Sequence, residues 1–113
     1  MEIKSDDYRV WYEPEDSTVF CNGYLRLDGT EEYKPIMDLL IGAITDQPTI
    51  TVNLRKLEFL NSSGISMLSM FVIKVRQNGG IKLIFEGSSK ILWQTKSLKN
   101  LQRLMPTIQL DFD

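Results

Sequence analysis

The stretch of sequence that decides the fold is Leu57-Glu58-Phe59-Leu60-Asn61-Ser62-Ser63-Gly64-Ile65. A hydrophobic run ends here, four small or polar residues follow, and an apolar helical pattern begins at once. This order predicts a junction at which a β-strand gives way to an α-helix. We expect at least one of Ser62 and Ser63 to cap that helix, because a serine hydroxyl can accept a hydrogen bond from an amide two or three residues on.

Before the junction, the sequence predicts a β-hairpin, a helix and a strand. Residues 8–12 and 18–27 are β-prone and flank a turn, and the glycine inside the second strand, Gly23, indicates a bulge or a close approach of another backbone. Thr30 is the expected cap of the helix, and Pro35 is expected to loosen its first turn, so that regular helix begins mainly at the proline. The strand then covers residues 49–54. The apolar stripe of the helix is Ile36, Leu39, Leu40, Ala43 and Ile44.

After the junction, helical and strand patterns continue to alternate. A helix ends at Asn78-Gly79-Gly80, a strand covers residues 81–85, two helical stretches follow (the second capped by Ser97), and residues 108–110 can form a short edge strand. The predicted fold is therefore α/β, with a mixed, mostly parallel sheet of about five strands and helices packed on it, in one domain spanning residues 1–113. The apolar stripe expected for the helix after the junction is Ile65, Leu68, Val72 and Val75.

Composition indicates a globular cytoplasmic protein. Of the 113 residues, 42% are apolar and 25% are charged, which suits a domain that builds its own core. No apolar run is long enough for a membrane span, and the acidic N-terminus is unlike a signal peptide. The one cysteine, Cys21, lies in a strand-like run, where we expect a buried hydrophobic side chain rather than a disulfide or metal ligand.

The sequence contains no histidine, which argues against an enzyme. The commonest general base, metal ligand and partner of a nucleophilic serine are absent together, so we expect no metal and no cofactor. A serine-lysine pair with Lys74, Lys90 or Lys96 is the alternative, although no spacing supports it. The glycine-rich phosphate loop of nucleotide hydrolases is also missing.

Two surfaces could contact other molecules. Met67 and Met70 are expected off the core stripe of their helix together with Lys74, either as an adaptable protein-contact surface or packed under a neighbouring helix. The last helical region is basic, and its default interpretation is a solvated face. The pI of 5.1 argues against nucleic-acid binding. The basic residues are Lys90, Lys96, Lys99 and Arg103.

Charge is also unevenly distributed along the chain. Residues 1–50 carry 11 acidic and 4 basic side chains, and residues 51–113 carry 4 acidic and 9 basic ones. The folded protein can therefore present one acidic and one basic surface, unless folding mixes the two halves.

Ser62 and Ser63 are candidate phosphorylation sites. Free amides at a helix N-terminus favour an anion, and a phosphate adds a charge of about −1.5 to −2. A phosphoryl group on either serine would therefore be tolerated without unfolding.

Residues 50–54 and 59–65 together resemble the signature of STAS domains, the family that includes anti-sigma-factor antagonists. The family pattern is a strand ending in Asp-Leu, a spacer, then Asp-Ser-Ser/Thr-Gly and a helix; here Ile50-Thr51-Val52-Asn53-Leu54 and Phe59-Leu60-Asn61-Ser62-Ser63-Gly64-Ile65 occupy those places. The predicted order of elements resembles that of the family along nearly the whole chain. The likeness is nearest to small single-domain regulators of cyanobacteria.

The resemblance implies a switch without catalysis. A serine kinase of the histidine-kinase-like fold, often itself an anti-sigma factor, would phosphorylate Ser63, with Ser62 as second candidate, and a PP2C-type phosphatase would reverse it. Only the unphosphorylated form would bind the partner, in the regulation of transcription. The surface implied for partner binding comprises Asn61, Gly64, Ile65, Met67, Met70 and Lys74.

Asparagines replace both family aspartates, at Asn53 and Asn61. This exchange removes two carboxylates that we expect beside the acceptor serine, and with them repulsion against a phosphate and acceptors that a kinase could use. A second hypothesis therefore stands beside the switch. The chain would be a docking module that ignores phosphorylation, in a signalling complex, a transporter assembly or a diguanylate cyclase-type regulator.

Overall fold

A computed structural model describes residues 2–113. These residues form a six-stranded β-sheet with three α-helices packed on one face, which confirms the predicted α/β class. The strands are β1 (Glu2–Lys4), β2 (Tyr8–Glu13), β3 (Thr18–Leu25), β4 (Thr49–Leu60), β5 (Lys82–Gly87) and β6 (Gln109–Phe112). The helices are α1 (Gly29–Asp46), α2 (Ser62–Asn78) and α3 (Leu92–Leu104), and a 3₁₀ turn covers Pro14–Asp16.

The strands lie in the sheet in the order in which they occur in the chain. Strands β1, β2 and β3 are antiparallel neighbours, and β3 to β6 run parallel, so the sheet is mixed as predicted. Strand β1 was not predicted from the sequence. Its three residues give too short a pattern, and the strand depends on pairing with β2, for example Ile3 with Val10.

The predicted hairpin is confirmed as β2 and β3. Gly23 has a φ of 98°, and a β-carbon there would collide with the Asp7 carbonyl oxygen, so the close backbone approach is real. Cys21 is buried in β3, as expected of a small hydrophobic residue.

Helix α1 begins earlier than predicted. Its N-cap is Asp28 rather than Thr30, which lies inside the first turn. The expectation of a loose first turn before Pro35 is wrong, because the helix is continuous through the proline. All five residues of the predicted apolar stripe are buried.

Helix α3 is one helix where two were predicted. Ser97 lies in its interior and caps nothing. The first half of α3 is held by Gln94, which is fully buried and whose Nε2 donates to the carbonyl oxygens of Leu54 and Leu57. A buried glutamine that satisfies strand carbonyls leaves no trace in hydrophobic periodicity, so the pattern appeared interrupted.

Strand β4 is the longest strand and carries the junction. Its register against β3 shifts twice, and at each shift β4 contains one extra residue. Ile50, Val52 and Leu54 alternate toward the helices, and the two bulges then return Leu57 and Leu60 to the same face at three-residue spacing. The bulges therefore carry the buried face of β4 up to the start of α2.

None of the helices in residues 2–113 has the length and hydropathy needed to cross a bilayer.

Candidate functional site

Asn61 caps helix α2, and the expectation that Ser62 or Ser63 would do so is wrong. The Asn61 Oδ1 atom accepts from the Gly64 amide at 2.9 Å and from the Tyr33 hydroxyl at 2.6 Å. Its Nδ2 atom donates to the Leu27 carbonyl oxygen at 2.8 Å. The side chain therefore links α1, α2 and the segment between β3 and α1, and its contacts need both the oxygen and the nitrogen of an amide.

Gly64 provides the close packing at this junction. It is buried, and a β-carbon there would overlap the Leu60 side chain and approach the Tyr33 hydroxyl to 2.8 Å. Gly64 therefore offers no surface to a partner, but it fixes the distance of α2 from β4 and α1. Tyr33 itself is buried, and burial raises the pKa of its hydroxyl, which keeps it protonated as a donor to Asn61.

Because Asn61 caps the helix, neither serine side chain is used as the cap. Ser62 is exposed, whereas Ser63 is half-buried, and its Oγ accepts from the Gly29 amide at 3.4 Å. Gly29 is the first residue of α1, so the Ser63 hydroxyl lies where the N-termini of α1 and α2 meet. The positive ends of both helix dipoles lie there.

Carboxylates oppose these dipoles. The first turn of α1 contains Glu31 and Glu32 beside the cap residue Asp28, and the Asp28 amide donates to Glu32 Oε1 at 3.1 Å. A phosphate on Ser63 would therefore meet two helix N-termini and an acidic turn together. Such a modification would add negative charge beside the acidic first turn of α1.

A groove separates α1 from α2, and Ser63 stands at its end. At 100° per residue, Ser63, Met67, Met70 and Lys74 lie within an arc of about 60° on α2. Three of these residues line the groove, which has a volume of about 520 Å³. The α1 wall and the α2 wall together consist of Thr30, Glu31, Lys34, Met37, Asp38, Met67, Met70 and Lys74.

The groove continues toward the other ends of both helices. A second depression of about 340 Å³ shares Lys74 with the first and is lined by Ile41, Ile44, Thr45, Lys74, Gln77 and Asn78. The α1–α2 groove, as we call the two together, thus runs along both helices from Thr30 to Asn78. Methionines at its centre and charges at its rim suit an adaptable, partly apolar occupant.

Met67 does not lie on an outward face, as the sequence suggested it could. It is 5% exposed, because α2 is the central helix and buries a wide arc that includes Phe71 against its neighbours. The alternative, packing under a neighbouring helix, is the correct one for Met67. Met70 is 47% exposed and forms the accessible part of the groove floor. Ile65 is half-buried against the core.

The structure gives no contact that supports a serine-lysine pair. Within residues 2–113, neither Ser62 nor Ser63 forms a hydrogen bond with a lysine. Lys74 is eleven residues along α2 from Ser63, a rise of about 16 Å, which its side chain cannot span. Lys96 projects from the exposed side of α3.

The two asparagines found where the STAS pattern has aspartates lie far apart. Asn53 is eight residues before Asn61 on β4, which corresponds to roughly 20 Å or more of strand. Its Nδ2 donates to Glu86 Oε1 at 3.0 Å, and its Oδ1 accepts from the Arg55 amide at 3.0 Å. Asn53 therefore belongs to a polar network on the sheet face opposite the helices, and the expectation that it lies beside the serines is wrong.

The α1 half of the groove was not predicted from the sequence. Thr30, Lys34, Met37 and Ile41 recur at helical spacing and form that wall. Met37 and Ile41 are apolar residues outside the predicted core stripe, and this was the available signal for a second face on α1.

Comparison with known proteins identifies the fold. No protein-family model matches the sequence, and no curated protein matches it either. Among solved structures, the chain is similar to apo-SiaC from Pseudomonas aeruginosa, with a TM-score of 0.72, 9% identity, and coverage of 100% of this chain and 97% of SiaC.

Two related structures give the same result. A second structure of P. aeruginosa SiaC matches with a TM-score of 0.66 and 12% identity, over 99% of this chain and 93% of that one. The crystal structure of the diguanylate cyclase SiaD in complex with its activator SiaC, also from P. aeruginosa, contains a chain that matches with a TM-score of 0.65 and 10% identity, over 100% of this chain and 99% of that one. At these identities the likeness establishes a shared fold.

Proposed function

We propose that this chain is a non-catalytic signalling regulator that binds a helical segment of a protein partner in the α1–α2 groove and releases it when Ser63 is phosphorylated. The observation that supports this proposal is the position of Ser63 on the same stripe of α2 as Met67, Met70 and Lys74. A group added to the Ser63 hydroxyl would stand at the end of the groove, next to Thr30 and Glu31.

The proposed release follows from charge. A phosphate brings about −1.5 to −2 charge and a firmly held hydration shell to a groove whose floor is methionine. An apolar helix face seated on Met70 would have to displace that water and tolerate the charge, so its affinity falls. Ser62 is offset by about 100° around α2 and points away from the groove, so Ser63 is the preferred acceptor.

The proposed partners follow from the STAS resemblance. They are a serine kinase of the histidine-kinase-like fold that also serves as an anti-sigma factor, and a PP2C-type phosphatase that restores the serine. The output would then be transcription. A groove between two helices suits the amphipathic helices that signalling proteins commonly present to such surfaces.

A second candidate is docking that ignores phosphorylation. It is favoured by the acidic turn beside Ser63, which would repel a phosphate, and by the likeness to SiaC, which is the activator of a diguanylate cyclase. The partner would then be a signalling enzyme of that kind, held in the same groove.

Capture of partners by matched variants separates the two candidates. Tagged wild-type, Met70→Asp, Ser63→Asp and Ser62→Asp proteins are used to isolate binding proteins, which are identified by mass spectrometry, purified and titrated. The switch predicts that Met70→Asp and Ser63→Asp each lose the partner and that Ser62→Asp keeps it. Phosphorylation-independent docking predicts that only Met70→Asp loses it. A partner bound equally by Met70→Asp contradicts both.

Direct phosphorylation is the second test. The captured kinase and ATP are incubated with wild-type and Ser63→Ala proteins, followed by intact-mass and peptide mass spectrometry. The switch predicts one phosphate, on Ser63, that the Ser63→Ala variant lacks. An unmodified wild type, or unchanged regulation in a Ser62→Ala/Ser63→Ala double variant, contradicts the switch and leaves the docking module.

A further inference from the structure

The outer face of α3 carries a stripe of cations that ends in an exposed leucine. Leu92, Lys96, Lys99 and Arg103 follow one another at spacings of four, three and four residues, so they lie within an arc of about 60°. The buried residues of the helix, including Leu98, lie on the opposite side. We call these four residues the α3 stripe.

The charges of the α3 stripe are not neutralised within the described chain. Helix α3 contains no aspartate or glutamate, and its three cations are exposed. The ion pairs of residues 2–113 all lie elsewhere: Arg9 with Glu2, Lys34 with Asp38, and Arg55 with Glu86 and Asp111. The folded protein therefore keeps the basic surface that its charge asymmetry suggested.

Leu92 adds an apolar contact to this surface. It is 95% exposed, the highest value among the exposed large hydrophobic residues. A single exposed leucine is ordinary on its own. Leu92, however, lies on the same face of α3 as three unpaired cations. This face therefore offers electrostatic attraction along the helix and an apolar contact at one end.

We propose that the α3 stripe is a second docking surface, and that its occupant is an acidic protein segment with carboxylates at helical spacing and one apolar side chain that packs on Leu92. Charge complementarity supports this choice, because carboxylates at i, i+3 and i+7 match the spacing of Lys96, Lys99 and Arg103. Helix α2 packs against α1 on one flank and α3 on the other, so the outer face of α3 is separate from the α1–α2 groove. The chain could then hold two partners at once.

Nucleic acid and membranes fit this surface less well. The whole protein has a net charge of −2 and a pI of 5.1, so a long polyanion would be repelled outside the stripe. A membrane-binding helix presents a broad apolar face, whereas Leu92 is the one apolar residue of the stripe. A short acidic protein segment could be bound by the three cations and the one leucine of the α3 stripe alone.

The test uses a synthetic helical peptide as long as α3, with glutamates at i, i+3 and i+7 and a leucine four residues before the first of them. Its control is a peptide of the same composition in scrambled order. Binding to the ¹⁵N-labelled protein is followed by amide chemical shifts at low and physiological salt. Anionic phospholipid vesicles and double-stranded DNA are titrated in parallel.

Two matched variants localise the binding. Lys96→Glu/Lys99→Glu reverses two charges on the stripe, and Lys56→Glu/Lys82→Glu reverses two exposed lysines on the sheet. We expect shift changes confined to Leu92–Leu104, an affinity lower by about tenfold or more in the first variant, and no such loss in the second. Leu92→Ser should weaken binding severalfold while leaving thermal unfolding unchanged.

Three outcomes overturn the proposal. Equal binding of the scrambled peptide would mean that only diffuse charge is recognised. Tighter binding of vesicles or DNA would assign the surface to those ligands. An absence of shift changes on α3, or equal losses in the two double variants, would mean that the stripe is no binding surface. None of these outcomes bears on Ser63 or the α1–α2 groove, so the proposed function is tested separately.

Discussion

The Tyr33 hydroxyl donates a 2.6 Å hydrogen bond to Oδ1 of Asn61 and so links helix α1 to the cap of helix α2. The same oxygen accepts from the Gly64 amide, and the amide nitrogen donates to the Leu27 carbonyl oxygen. One side chain therefore serves as acceptor and donor in three directions. This arrangement holds the groove walls together and needs an asparagine, because a carboxylate at Asn61 could accept both hydrogen bonds but donate none.

Asn61→Asp should destabilise the protein although it introduces the residue that the STAS pattern, which the sequence resembles, has at this place. The new carboxylate would face the Leu27 carbonyl oxygen without a proton between them, at a cost of about 1–3 kcal/mol of unfolding free energy at neutral pH. Urea denaturation measures the difference. The cost should shrink in acid, where a protonated carboxyl can donate as the amide does.

The control for this prediction is Asn100→Asp, the same exchange at an exposed position of α3, which should change stability by at most about 0.5 kcal/mol. Equal stability of Asn61→Asp and wild type at pH 7 would contradict the role given to the donor nitrogen.

Gly64→Ala should separate α2 from its neighbours. The added methyl would overlap the Leu60 side chain and crowd the Tyr33 hydroxyl, at a cost of about 1–3 kcal/mol. Gly42→Ala is the matched control, since Gly42 is exposed within α1 and a β-carbon there meets nothing within 4 Å. That control should stabilise by up to about 1 kcal/mol. Thermal unfolding of both variants decides the point, and two changes of the same sign would refute it.

Met67→Asp should destabilise the protein far more than Met70→Asp, although the sequence analysis placed the two methionines on one surface. Met67 is buried, and an unpaired charge there should cost about 3 kcal/mol or more. Met70 is 47% exposed, so Met70→Asp should change stability by less than about 1 kcal/mol. Chemical denaturation checks both. This difference is why Met70→Asp, and not Met67→Asp, is the variant for partner binding.

The sequence predicts well where local pattern and tertiary structure agree. The stripe of Ile36, Leu40 and Ala43 is buried because one face of α1 meets the sheet, as periodicity requires. The sequence left open whether Met67 is buried, because α2 has a helix on each side and a wide buried arc cannot be inferred from the apolar positions of one helix.

The candidate site likewise has features that the sequence predicts and features that it does not. The junction and its serines follow from residues that are adjacent in the chain. The contacts Ser63–Gly29 and Asn61–Tyr33 join positions about thirty residues apart, and only packing brings them together. Such contacts decide whether a polar side chain caps a helix, links two elements or faces solvent. For this reason the sequence predicted a serine cap where the structure has Asn61.

Gln94→Leu should destabilise strongly although it replaces a polar side chain with an apolar one in the interior. Gln94 is fully buried, donates to the carbonyl oxygens of Leu54 and Leu57, and accepts from the Ser88 amide at 2.7 Å. Leucine would leave those groups unsatisfied, at a cost of about 2 kcal/mol or more. Gln77→Leu, at an exposed position of α2, should be nearly neutral. Hydrogen exchange should also quicken at the Ser88 amide, and protection equal to wild type would contradict the prediction.

Tyr12 should make stability fall in strongly alkaline solution. Burial, together with a 2.7 Å hydrogen bond to Asp46 Oδ2 and the charge of that carboxylate, raises the pKa of Tyr12 from 10.0 to about 12. The folded state therefore holds this proton more tightly than the unfolded state. The resulting stability is fully present below pH 10 and is lost as the pH rises through about 12.

Urea denaturation at a series of alkaline pH values measures this loss. Tyr12→Phe should lower stability at pH 8 and show a smaller decline between pH 10 and 12, because the variant has no proton to release at that position. Absorbance titration of tyrosinate, as a difference between wild type and Tyr12→Phe, should place the ionisation of Tyr12 well above 10. A difference titration centred at 10, or parallel stability curves, would show that the link between β2 and the end of α1 does not hold the proton.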